Sequence, residues 1–440
     1  MNLQSSSIWT GHLVSGSASQ AGSGALSKAL FHGALALLQV GVALVLMTFG
    51  PGKDISRLAF AHGLVICGSF LFSAVLTLCG SRSYPVGTEL FRLLVVFITF
   101  SGLLGLTLNG DSLYDGILFF ILLALRNYTC FWGLTGTEAY SPAQIQRAIL
   151  TWTMIATTCI AIGSLLAFRS GGISLGSTTR INGDKIGWLN ANTVGLYCAF
   201  GLLLCVLARY LPAWIRIAVA ALSAYCLLLS QSRTAIIALL AGVVTALVLS
   251  KYRRRMLVAL SALALFVVMG LGNRALQFAV AIPTVASTLD RFEGDQASVL
   301  ISGRMDVLRT GLDIWASSPL VGIGYGTSDT RFENGYLSMA CESGSLGLLA
   351  YLFYLVLVLF QSRVLMASRD PDANDLGRWL ACITIFAIVH GFGERTHAFQ
   401  IATMVSACWV LLTALAFRRT VYIQSLGALQ GIHPSEAIRT

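Results

Sequence analysis

The feature that most constrains this chain is a series of continuously apolar blocks, each near 20 residues long, separated by short polar or basic stretches. A block of that length crosses the hydrocarbon of a bilayer as one helix. With 56% hydrophobic and 11% charged residues over 440, the class is an all-α polytopic membrane protein. A membrane barrel would instead show short segments with polar residues at alternate positions.

The blocks predict about twelve spans: 30–49, 58–79, 89–108, 116–134, 148–168, 191–208, 213–230, 234–250, 256–272, 344–362, 378–394 and 398–417. The apolar run 214–250 is too long for one span and reads as a hairpin with "SQSR" at the turn. Basic stretches orient the chain, because Lys and Arg concentrate in cytoplasmic loops. "RYLPAWIR" (209–216), "KYRRR" (251–255), the segment 363–378 and "FRR" (417–419) then all fall on the cytoplasmic side. The expected organisation is a cytoplasmic tail at 1–27, transmembrane helices 1–9 at 28–272, a long periplasmic loop at 273–343, helices 10–12 at 344–417 and a cytoplasmic tail at 418–440. The Ser- and Gly-rich start lacks a basic region ahead of an apolar core, so it reads as a tail and not as a cleaved signal.

Against this frame Arg233 stands out, a permanent cation inside "LLLSQSRTAII". Hydrocarbon would penalise it by several kcal/mol, and a guanidinium cannot escape by losing its proton. It falls at the external rim, with the loop that contains Arg274, Arg291, Arg304, Arg309 and Arg331. Either it snorkels to the headgroups, or it faces a polar cleft and holds an anion there. Nine of the ten cysteines fall inside expected spans, and only Cys341 is placed near the external face. Neither they nor the six scattered histidines have metal-ligand spacing, so no metal site and no cofactor are expected.

Residues 302–352 are the most patterned part of the external loop. "GRMDVLRTGLDIW" places Met305, Leu308, Leu312 and Trp315 at helical spacing, which predicts an amphipathic helix on the rim with Arg304 in its first turn. "GIGYG" (322–326) is not a nucleotide loop, since no strand precedes it; its glycines suit tight turns that fold the loop back onto the membrane. "ENGYL" leads into the tenth span.

"LNANTVGLY" (189–197), "SQSRTAIIALLAG" (230–242), "SGR…W…PLVGIGYG" (302–326) and "NGYLSMACESGSLGLLAYL" (334–352), in this order, resemble the O-antigen ligase and Wzy-type polysaccharide polymerase superfamily. The resemblance spans roughly 185–360. It implies a GT-C-like, metal-independent glycosyltransferase of the bacterial inner membrane with its active site facing the periplasm. The implied donor is an undecaprenyl-diphosphate-linked glycan, and the acceptor is another glycan or lipid A core. Arg233 and Arg304 correspond to arginines that hold the donor's diphosphate, with Arg331, Asn334 and Asn192 as further substrate-binding candidates. The chemistry agrees, because a leaving lipid diphosphate gathers negative charge that forked guanidinium donors neutralise.

Glu333 stands where ligases commonly carry a histidine base, and a partly desolvated carboxylate can take the acceptor's proton as well. Two alternatives stay open: Glu333 orients Arg331, or the base comes from "GFGERTH" (391–397) with Glu394 and His397. The reading is a polysaccharide polymerase, with an O-antigen ligase as the alternative. The alternative of another class is a polysaccharide or lipid transporter, although the chain lacks the two similar halves such carriers often show. Partners are the glycan substrates and the bilayer, with no nucleic acid.

Overall fold

A computed structural model of the protein describes residues 19–48, 55–79, 89–109, 113–134, 140–170, 191–250, 296–324, 334–394 and 404–429. Almost all of these are helical, and among them there is no strand. In chain order the helices are α1 (Ser19–Ala36), α2 (Val42–Thr48), α3 (Ile55–Cys79), α4 (Glu89–Asn109), α5 (Leu113–Tyr128), α6 (Pro142–Ser170), α7 (Ala191–Leu207), α8 (Ala213–Ser230), α9 (Arg233–Val248), α10 (Gln296–Ser317), α11 (Gly335–Met366), α12 (Pro371–Gly393) and α13 (Met404–Leu429). A π-helical stretch, Leu37–Gly41, joins α1 to α2, and another, Thr129–Leu134, continues α5.

Among the described residues, eight helices are long and apolar enough to span a membrane, and three shorter apolar stretches accompany them: Arg92–Gly105, Ala191–Leu207 and Arg233–Val248. Each lies on an expected span. The remaining one, 256–272, is outside the described residues. Large apolar side chains left uncovered, such as Phe60, Leu78 and Ile217, suit a surface that meets lipid and not water.

Local sequence explains where several helices begin. Ser141 and Gln144 cap each other reciprocally at the start of α6, Ser141 N donating to Gln144 Oε1 at 2.9 Å and Gln144 N to Ser141 Oγ at 3.3 Å. Asp370 accepts from Asp372 N at 3.0 Å, with Pro371 at the first position of α12. Asn334 accepts from Tyr336 N and Leu337 N, each at 3.0 Å, and so starts α11. The expected hairpin is present: Gln231, at φ 51°, closes α8 in the left-handed region, and α9 begins two residues later.

α12 is central to the packing, lying against α11, α9 and α13, while α7 packs on α8, α6 and α9. Their shared core includes Tyr197, Phe200, Tyr354, Phe386 and Trp409. Several of its polar atoms are paired within the bundle, with Trp409 Nε1 donating to Thr384 Oγ1 at 2.9 Å and Tyr354 OH to Thr413 Oγ1 at 3.3 Å. Inside hydrocarbon no water is available to do this.

One expectation is corrected. α10 begins at Gln296, so Arg304 lies about two turns into the helix and not in its first turn. The contact face of α10 centres on Gly311, whose carbonyl accepts from Cys341 Sγ at 3.2 Å, and Leu312 is 49% exposed. Cys341 is fully buried inside α11.

Candidate functional site

α11 is broken at Gly344, whose φ of 65° and ψ of −172° interrupt an otherwise continuous helix. A break frees backbone groups that hydrocarbon cannot satisfy. Here the segment Pro319–Gly324 satisfies them. Ile323 N and Gly324 N donate to Cys341 O and Glu342 O at 2.8 and 3.0 Å, and Ser345 N and Leu346 N donate to Pro319 O and Leu320 O at 2.8 and 3.3 Å. Gly322 (φ 72°) and Gly324 (φ 97°) make the turn, as the glycine pattern suggested. The segment also lies against α4, where a Cβ at Gly105 would meet Val321 O at 2.5 Å.

At the start of α11 four chain segments converge on one end of the bundle. Asn334 Nδ2 donates to Phe392 O at 3.1 Å, and Tyr336 OH donates to Ile388 O at 3.1 Å, which ties α11 to the end of α12. A Cβ at Gly393 would stand 2.7 Å from Thr234 Cγ2, so the end of α12 abuts the start of α9. A Cβ at Gly195, one turn into α7, would collide with Ser232 and stand 2.9 Å from Ser230 Oγ. Arg233, Asn334, Glu394 and Asn192 are thereby brought to one end. Arg233 is half-buried as the first residue of α9. Glu394 follows Gly393 with its backbone N–H donating to His390 O at 3.0 Å.

α7, α9 and α11 all begin at this end, so their positive dipole ends and their unbonded first-turn N–H groups gather there. The Ser232 side chain makes no capping hydrogen bond, and its Oγ is buried without a hydrogen-bond partner among the described residues. A helix start of this kind, with an arginine as its first residue, favours an anion.

The opposite end of the bundle is different. There α7 and α9 end and α8 and α12 begin, and Arg147, Arg209, Arg378, Asp372 and Asp375 surround a small cleft. Asp370 is held below the usual carboxylate range; burial pushes it upward, but the hydrogen bond and charge of Arg419 and the N–H groups of Asp372 and Ala373 outweigh that.

Arg304 belongs to α10, which packs on α11. Glu333, Arg331 and His397 lie outside the described residues. One arginine escaped the sequence reading. Arg126, within the span Ile117–Leu134, is 1% exposed, its Nη1 and Nη2 donating at 3.0 Å to Ser406 Oγ and Asn127 Oδ1. Asn127 in turn donates to Thr99 Oγ1 at 3.0 Å. The argument that singled out Arg233, a permanent cation in an apolar run, applies equally to "LALRNY" (123–128).

Residues 218–352, from α8 through the first half of α11, match the Wzy_C family model, described as O-Antigen ligase. This segment is similar to the O-antigen ligase family. The match supports the O-antigen ligase and Wzy superfamily for the chain, and a ligase- or polymerase-type function in broad terms. It also implies lipid-linked glycan substrates and a membrane setting. The matched segment contains Arg233, Arg304, Arg331, Glu333 and Asn334, whereas Asn192, Glu394 and His397 fall outside it. No curated protein matches the chain.

Proposed function

We propose that the protein is a glycosyltransferase of the bacterial inner membrane, one that joins undecaprenyl-diphosphate-linked glycan units into a polysaccharide at the periplasmic face. The observation that carries this reading is the place of Arg233. It heads a helix at the end of the bundle where α7, α9 and α11 all begin, and that end lies opposite the arginine-rich one. A diphosphate held there accepts from the guanidinium fork and from first-turn N–H groups at the depth where its lipid carrier leaves it.

In the reaction the acceptor hydroxyl attacks the donor's anomeric carbon. The new glycosidic C–O bond forms as the bond from that carbon to the phosphate oxygen breaks, and the lipid diphosphate leaves with the electron pair. Glu333 takes the hydroxyl proton, and Arg233 and Arg304 neutralise the charge developing on the leaving group. Asn334, immediately after Glu333 in sequence, is anchored to the end of α12 through Phe392 O. No step requires a metal.

The matching family, O-Antigen ligase, favours a second reading, a ligase that moves the finished glycan to lipid A core. Lipid extracts from cells lacking the protein separate the two. Accumulation of carrier bearing a single repeat unit is expected for the polymerase; carrier bearing a long unattached polymer would assign the ligase. An unchanged pool of lipid-linked glycan would contradict both.

A further inference from the structure

The legs of the α8–α9 hairpin turn to different partners: α8 packs on α7 and α6, and α9 packs on α12 and α7. Between them a groove with a cavity volume of about 540 Å³ opens to the outside of the bundle. Its walls are apolar along most of its length, formed by Leu202 of α7, Ile217 and Ala220 of α8, and Leu239 and Val243 of α9. Ile217 is 67% exposed and Leu240, beside the groove, 59%, so bilayer lipid has direct access.

Two arginines, Arg209 and Arg216, line the same groove where α7 ends and α8 begins. Arg216 Nη1 reaches Cys205 O only at 3.5 Å, and its Nε is buried without an acceptor among the described residues. The nearby acids are engaged by other arginines, Asp372 with Arg147 at 3.8 Å and Asp375 with Arg378 at 3.9 Å. Among the described residues no carboxylate lies within ion-pair distance of Arg209 or Arg216. The groove thus combines an apolar channel with two forked donors at one end that make no ion pair among the described residues, and Trp214, 72% exposed, stands beside that end as an interfacial residue does.

We infer that this groove binds an anionic phospholipid from the leaflet at the arginine-rich rim, with its phosphate accepting from Arg209 and Arg216 and an acyl chain lying between α8 and α9. Charge complementarity selects the headgroup, since basic pockets between transmembrane helices take acidic lipids. The polyprenyl diphosphate donor is a poor fit, because the cations of the groove sit at the end of the hairpin opposite Arg233. A lipid seated here splints two legs that otherwise share little contact, and it steadies the turn on which Arg233 is carried. The inference requires only that the chain spans a membrane; it stands whether or not the transferase reading does.

The test is native mass spectrometry of the full-length protein, delipidated in detergent and then offered phosphatidylglycerol or phosphatidylcholine with the same acyl chains. The wild type should retain phosphatidylglycerol in preference. An Arg209→Gln/Arg216→Gln variant should hold it about tenfold more weakly, with phosphatidylcholine retention unchanged. Val243→Trp, which fills the channel and leaves both arginines, should lose the lipid as well, and it carries the test if the double variant does not fold. Equal retention of phosphatidylglycerol by wild type and variants would overturn the inference. So would its displacement by millimolar inorganic phosphate, which would indicate a free-anion site, or by polyprenyl phosphate, which would assign the groove to the carrier.

Discussion

A cation inside an apolar run demands an explanation, and the two arginines of this kind have different ones. Arg233 meets the end of the bundle at a helix start. Arg126 is enclosed, and two of its hydrogen bonds go to neutral groups on α13 and on its own helix. Arg126→Ala should therefore act on stability, lowering the thermal midpoint in detergent as other large-to-small core changes do; an unchanged midpoint with lost transfer would move Arg126 into the catalytic machinery. Glu333→Gln tests the base. It keeps shape and hydrogen bonding, so donor binding should survive while turnover falls by about two to four orders of magnitude. Glu333→His should return part of the activity with a pH profile in the imidazole range. Normal turnover in Glu333→Gln with a dead Glu394→Gln or His397→Ala would place the base in the last hairpin. Arg233 was legible in the sequence because "SQS" marks a turn beside it. Arg126 has only Asn127 next to it, and its partner Ser406 is brought close by tertiary packing alone.

At the scale of elements, spans and caps were legible and the broken helix was not. Apolar length marks a span and Asn334 suits a helix start, but "CESGSLG" (341–347), at the start of the expected span 344–362, gives no sign of a break. In the structure it lies within α11, because Pro319–Gly324 supplies the missing hydrogen-bond partners from another part of the chain. Gly344→Ala should be strongly destabilising, since its φ of 65° and ψ of −172° lie in a region essentially only glycine occupies, which costs a side chain about 1–3 kcal/mol, and the added methyl would collide with Leu320. A thermal midpoint equal to wild type would argue against the broken helix. Asp370 gives a pH-dependent counterpart at the other end. Its depressed pKa means that the contact with Arg419 stabilises the fold above the unfolded carboxylate value of about 3.9 and is lost as pH falls through the lower folded value. Asp370→Asn should be less stable than wild type at pH 7, and the gap should close on acidification; a gap that persists in acid would assign it to capping or packing instead.

For the whole molecule, the account rests on two unlike ends. One gathers the starts of α7, α9 and α11 around Arg233, and the other gathers arginines and acids around Tyr210 and Trp379. Alternation of basic stretches made this division legible, because each hairpin returns the chain to the side it left. Cysteine labelling of intact cells should reach a cysteine placed at Ser298 and not one at Ser250; reversed labelling would turn the molecule over in the membrane. The most direct test of the central claim is transfer by purified protein reconstituted with undecaprenyl-diphosphate-linked glycan, comparing wild type with Arg233→Ala at equal amounts of folded protein. If Arg233 holds the departing diphosphate, transfer should fall by about two to three orders of magnitude, with Arg233→Lys restoring only part of it. Full transfer by Arg233→Ala would contradict the account and leave this arginine a headgroup anchor.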